Sequence, residues 1–146
     1  MAQKQGGFLI SKIHQLAGRI FDKKLKTYNL DQFNNAQGRI LFVLWQHDGP
    51  ISISQLSVET ALDKSTLTSM LDRLEQKEFL RRIRSNEDRR IILIELTEKS
   101  LALRSSYESV SKSMIDLFYD GFSEKEITIF EECLKRIYAN LTRFEE

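Results

Sequence analysis

The chain has 146 residues, 41% of them hydrophobic and 29% charged, with a formal net charge of +1. That length fits one domain, and the composition lies far from the polar corner where chains stay disordered. One proline, six glycines and one cysteine exclude a collagen-like chain and an intramolecular disulfide, and no apolar run is long enough to span a bilayer.

The polar first seven residues have no apolar core behind them and do not read as a signal peptide, so the cytoplasm is the expected compartment. Charge is uneven along the chain. Residues 1–47 hold seven Lys and Arg against two Asp and Glu, residues 48–106 ten against ten, and residues 107–146 five against nine. A nucleic-acid surface here is therefore a local patch.

Phe8, Leu9, Ile13, Leu16, Ala17, Ile20 and Phe21 recur at three- and four-residue steps, which predicts a first helix over about residues 7–28 with one apolar stripe. Asn34 with Gln37 has the form of a capping box and opens a second helix. Ile40, Leu41, Val43, Leu44 and Trp45 supply its buried face, and Asp48-Gly49-Pro50 ends it. Ser52 starts a short third helix with Gln55 as its reciprocal cap and with Leu56 and Ala61 turned inward. Asp63 caps a fourth helix that runs to about Glu78. Leu67, Met70, Leu71 and Leu74 face its core side, and Ser65, Thr66, Thr68, Ser69 and Arg73 face outward.

The pattern then changes period. Residues 81–84 read as a strand, Ser85-Asn86-Glu87-Asp88 as a turn, and residues 91–96 as a β-branched return strand. A lone two-stranded hairpin is marginal in water, so it must lean on the helical core. Thr97 caps a fifth helix carrying Leu101, Leu103, Tyr107, Val110, Met114, Leu117 and Phe118, broken by Asp120-Gly121. Ser123 and Glu126 form a capping box for the sixth, with Phe122 and Ile127 as a hydrophobic staple. Phe130, Cys133, Leu134, Ile137, Tyr138 and Leu141 line that last helix.

The predicted fold is mainly α with a small β-hairpin wing: a winged helix-turn-helix flanked by N- and C-terminal helices. The third and fourth helices form the helix-turn-helix. A reading helix needs an apolar side to anchor it and a polar side to meet bases and phosphates, and the fourth helix has both. The adjoining residues 77–90 hold six Lys and Arg against three Asp and Glu, which suits phosphates and the narrow minor groove of A·T-rich DNA.

The run Leu71-Asp72-Arg73-Leu74-Glu75-Gln76-Lys77, then Phe79-Leu80-Arg81-Arg82, Asp88-Arg89-Arg90 and Leu96-Thr97, resembles the MarR family of transcriptional regulators. The resemblance implies one MarR-like domain over residues 1–146, with residues 34–97 as the DNA-binding lobe and residues 7–28 and 98–146 as dimerisation helices. It implies a homodimer on a near-palindromic operator, acting as a repressor and released by a small-molecule effector. The implied DNA contacts are Ser65, Thr66, Thr68, Ser69, Arg73, Arg82, Arg89 and Arg90, with Arg90 in the minor groove and Asp88 bracing the wing. Glu78 and Ser100 stand where the family commonly has glycine, and a non-glycine residue at positive φ is uncommon.

Other readings have less to stand on. No nucleophile elbow, Walker A loop, dinucleotide fingerprint or Cys/His zinc series occurs, so the chain does not read as an enzyme and no cofactor is called for. His14 and His47 alone are a thin set for a metal. Cys133, on the apolar side of its helix next to Glu131 and Glu132, reads as a buried structural thiol. The alternative function is a winged-helix module that meets a protein partner instead of DNA.

Overall fold

A computed structural model describes residues 2–146. In chain order the elements are α1 (Gly6–Thr27), α2 (Asn35–Trp45), β1 (Ile51–Ser52), α3 (Ile53–Thr60), α4 (Lys64–Gln76), β2 (Leu80–Arg84), β3 (Ile92–Leu96), α5 (Glu98–Leu101), α6 (Arg104–Phe118) and α7 (Glu124–Glu145). They fall into two compact units, the first running through Val110 and the second from Ser111 to Glu146.

Local chemistry sets most boundaries of the first unit. Asn34 accepts the Gln37 amide at 2.9 Å, and the Gln37 side chain accepts the Asn34 amide at 3.0 Å, the expected capping box. Asp22 of α1 accepts the Asn35 amide at 2.7 Å and so ties α1 to the same helix start. Ser52 accepts the Gln55 amide at 3.1 Å, but the reciprocal bond expected from Gln55 is not formed. Ala61, expected to face inward, is exposed and takes φ 59°, since the tight turn into α4 needs a left-handed residue.

The wing has one strand more than expected. The sheet order is β1-β3-β2, all antiparallel, with Ile51 opposite Ile94 and Leu80 opposite Leu96. β1 is only two residues long, and it gives the hairpin the third strand that its stability requires. Leu25, Leu41, Leu56, Leu67, Leu71, Leu74, Phe79 and Ile94 are fully buried and join α1, α2, α3, α4 and the sheet in one core.

The expected fifth helix is two. Thr97 caps α5 as predicted, but α5 stops at Leu101 and α6 restarts at Arg104. The cause is tertiary. The Ser100 carbonyl accepts the Leu103 amide three residues on and the Trp45 indole N–H at 3.2 Å. Tyr107 of α6 then packs its ring against Phe21, Phe33, Phe42 and Trp45.

In the second unit, Ser123 and Glu126 complete their capping box at the start of α7. Rings of Phe118, Tyr119, Phe122 and Phe130 cluster beside it. Cys133 is exposed in the single chain, not buried as its apolar neighbours suggested, because no residue of α7 is buried.

Candidate nucleic-acid interface

The Asp63 carboxylate accepts the Thr66 amide at 2.8 Å and the Ser65 hydroxyl at 3.0 Å at the start of α4. These bonds, the Thr66 amide foremost, hold its pKa below the usual aspartate value. Leu67, Leu71 and Leu74 anchor the buried side. All five residues predicted to face outward, Ser65, Thr66, Thr68, Ser69 and Arg73, are exposed.

Helical geometry refines that face. Ser65, Ser69, Asp72 and Gln76 follow one another at four- and three-residue steps, so they form the outermost stripe, opposite the leucines. Thr66 and Arg73 flank it on one side, Thr68 and Glu75 on the other. Sequence reasoning passed over Asp72 and Gln76, although the spacing rule that found the buried leucines also finds them. Arg73 borders a groove of about 380 Å³ that it shares with Lys77, Asp22 and Asp31. Lys77 reaches across it to the Gln32 carbonyl.

The turn from α4 to the wing is built on Glu78 at φ 65°. The Phe79 amide donates to the Leu74 carbonyl at 3.0 Å and the Glu78 amide to Glu75 at 2.9 Å. This is a Schellman motif, with Leu74 and Phe79 as its buried apolar pair. A glutamate therefore adopts the left-handed conformation that a glycine takes at lower cost.

In the wing, the Ser85 hydroxyl accepts the Glu87 and Asp88 amides, and the Ile91 amide closes onto the Asp88 carbonyl at 2.9 Å. The Asp88 carboxylate accepts the Arg90 amide at 3.0 Å and its guanidinium at 3.0 and 2.9 Å. The guanidinium bond holds the Asp88 pKa low and the Arg90 pKa high. Even so, the Arg90 side chain is 90% exposed. Arg89 is exposed too, and its carbonyl accepts from Arg84 at 2.8 Å. Arg81 pairs across the strands with Glu95 at 2.9 Å.

Arg82 is placed differently from the other candidates. Its guanidinium lies between Asp72 and Glu75 of α4, and its side chain is only 28% exposed. Its pKa is raised, first by Asp72 and then by Glu75.

A family model described as the MarR family matches residues 33–92. The transcriptional regulator MgrA of Staphylococcus aureus is 34% identical over 116 residues, 80% of this chain and 75% of the relative.

The chain belongs to the MarR family.

Among other MarR-type relatives, the transcriptional regulator MhqR of Bacillus subtilis is 32% identical over 111 residues, 76% of each chain. A crystal structure of a mutant MarR from E.coli complexed with operator DNA is 26% identical, with a TM-score of 0.79 over 90% of this chain and 91% of that one. The present protein is thus a winged-helix transcriptional regulator of the MarR family, and the order of its capped α4 and three-stranded wing agrees with that fold.

The same unit of this MarR protein contains a cavity of about 620 Å³ between α1, α2, α3 and α4. Phe42, Val43, Leu62 and Met70 supply apolar walls, and His14, Arg39 and Glu59 supply polar ones. Glu59 is also paired with His47 at 2.9 Å, which keeps its carboxyl pKa low. No group of three or more His, Cys, Asp and Glu able to hold a metal occurs among the described residues, and none of their helices is long and apolar enough to cross a membrane.

Proposed function

We propose that this chain binds duplex DNA as a homodimer, reading one half of a near-palindromic operator with each winged helix-turn-helix and repressing by covering promoter DNA. In this reading residues 34–97 form the DNA-binding lobe, and residues 7–28 and 98–146 supply dimerisation. Ser65, Thr66, Thr68, Ser69 and Arg73 meet the major groove, while Arg89 and Arg90 reach the adjoining backbone and minor groove.

The observation that carries this reading is one surface. A hydroxyl-lined helix face stands exposed beside a wing whose Arg90 is bonded to Asp88 yet 90% exposed. Cations and small hydroxyl donors are the groups that meet the phosphates and base edges of a duplex. The E.coli relative in its operator complex supports the same use of the fold. The 620 Å³ cavity has the size of a small-molecule site, and we assign the effector to it.

Replacing Arg90 by alanine is expected to weaken binding and to lower the slope of log affinity against log salt by about one. Titration of a labelled promoter fragment at several salt concentrations measures both. Wild-type affinity and slope in the variant reject the wing assignment. Failure of the unmodified protein to be retained on duplex DNA at low salt favours a protein partner for this surface.

A further inference from the structure

We propose that Arg82 is a positioning residue: its guanidinium fastens the wing to the outer face of the recognition helix by spanning Asp72 and Glu75, and so governs discrimination between DNA sequences without touching the duplex. The proposal rests on the DNA-binding reading above.

The geometry is a closed set of bonds. Nη2 of Arg82 meets Asp72 Oδ1, and it meets Glu75 Oε1 at 2.8 Å. Nε donates to the same Glu75 oxygen at 2.9 Å. The other oxygen, Oε2, accepts the Arg82 backbone amide at 3.1 Å. Both oxygens of Glu75 are thus spent on one residue of β2. Only a planar guanidinium with several fixed donors can span two carboxylates in this way; a lysine ammonium is a point charge on a flexible stem.

Position makes the clamp consequential. α4 and β2 are joined by the Glu78 turn, and Arg82 lies on the strand just beyond it. The clamp adds a polar attachment on the outer side of the same two elements, beyond the shared core, and so restrains pivoting of the wing about the turn. It also covers a charge. Asp72 belongs to the outermost stripe of α4 with Ser65, Ser69 and Gln76, where a bare carboxylate would face phosphates. Nε and Nη2 of Arg82 are committed to the two carboxylates, and turning them to a phosphate would uncover the Asp72 charge toward the DNA. Held in place, it neutralises Asp72 and fixes where the wing enters relative to the helix.

A phosphate contact and a positioning residue leave different signatures. Loss of a phosphate contact weakens binding to all sequences alike, whereas loss of register weakens the specific complex alone. The test uses the full chain with Arg82→Lys and Arg82→Ala. Affinity is measured for a duplex enriched from a random pool by the wild-type protein, and for a scrambled duplex of equal length. Arg82→Lys, which keeps the charge and tolerates misfolding risk best, is expected to lower the ratio of specific to non-specific affinity about tenfold or more. In the free protein it is expected to speed amide hydrogen exchange in β2 and residues 85–91 several-fold. Retention of the wild-type ratio by Arg82→Lys, or equal weakening on both duplexes by Arg82→Ala, overturns the proposal. Unchanged exchange in the wing overturns the clamp independently of DNA, so a wild-type protein that prefers no sequence sinks the DNA-binding reading without obscuring this one.

Discussion

Glu78 shows how one residue can carry a fold's strain. Its φ of 65° lies in the left-handed region, where a Cβ crowds the following carbonyl at a cost of about 1–2 kcal/mol. The Schellman bonds and the buried Leu74–Phe79 pair hold it there, and the Thr97 hydroxyl donates to its carbonyl at 2.6 Å. Glycine removes the crowding but widens the unfolded ensemble, which returns part of the gain. Glu78→Gly is therefore expected to stabilise the protein by about 0.5–1 kcal/mol, read as a raised denaturation midpoint with an unchanged denaturant slope. A lowered midpoint would show that the glutamate side chain makes a compensating contact. Asn29 occupies the equivalent place after α1 at φ 60°, with the Leu30 amide bonded to Leu25 at 2.8 Å. Asparagine tolerates that conformation better than glutamate, so Glu78 is the more strained of the two. The family resemblance flagged Glu78, because glycine is common there; it did not say whether the turn would change or the residue would bend to it. The residue bends to the turn, at φ 65°.

At the scale of elements, what was legible depended on the reach of the signal. Asn34–Gln37 and Ser123–Glu126 were readable as helix starts because each cap closes within four residues. The split of α5 from α6 was not, since its cause is the Trp45 indole, 55 residues from the carbonyl it meets. β1 escaped because two residues carry no periodicity, and Arg82 was grouped with the wing cations because a count of charges does not show which carboxylates answer them. The packing of α2 on α6 is a second long-range feature and makes a sharp prediction. A Cβ placed on Gly38 would lie 2.9 Å from Tyr107 Cε2 and 3.3 Å from Phe33 Cε2. Alanine within a helix normally gains about 1 kcal/mol over glycine, but overpacking a filled core costs about 1–3 kcal/mol. Tyr107 sits among four other rings and has little room to yield, so Gly38→Ala should destabilise by about 1–2 kcal/mol in urea unfolding. A stabilised variant would mean that the ring moves freely. The same burial pushes the Tyr107 hydroxyl from 10.0 up to about 12. The raised value means the folded state resists ionisation that the unfolded chain accepts. Stability attributable to Tyr107 is thus complete below pH 10 and is lost as pH rises toward 12, with the steepest loss between those values. Unfolding midpoints measured across that window, with Tyr107→Phe as the control that abolishes this component, check the sign.

For the molecule as a whole, the decisive feature is where exposed apolar surface collects. In α1, Phe8, Leu9, Ile10, Ile13 and Leu16 are each at least 44% exposed. In α7, Ile129, Ile137, Tyr138, Leu141 and Phe144 are each at least 44% exposed, and no residue of that helix is buried. Single exposed apolar residues are ordinary on any surface, but stripes of five on one helix are not. By contrast the outer stripe of α4 carries no exposed large hydrophobic. The outer face of α4, where we place the duplex, is thus polar, and the stripes of α1 and α7, where we place the second protomer, are apolar. A two-fold pair would repeat the reading helix at a fixed spacing, and half-sites about 34–36 Å apart require such rigidity. The double change Ile137→Glu with Leu141→Glu puts two charges on that apolar stripe at i and i+4 while leaving the first unit's core untouched. It is expected to yield a monomer in sedimentation velocity whose helical content and core unfolding transition are retained. Binding to a two-half-site duplex should then fall by orders of magnitude, since each lobe must bind alone and loses the effective concentration supplied by its partner. Weak binding to a single half-site should persist. A variant that stays dimeric would show that α7 is not the interface. A monomer that keeps full operator affinity would show that the two reading helices never needed to be coupled.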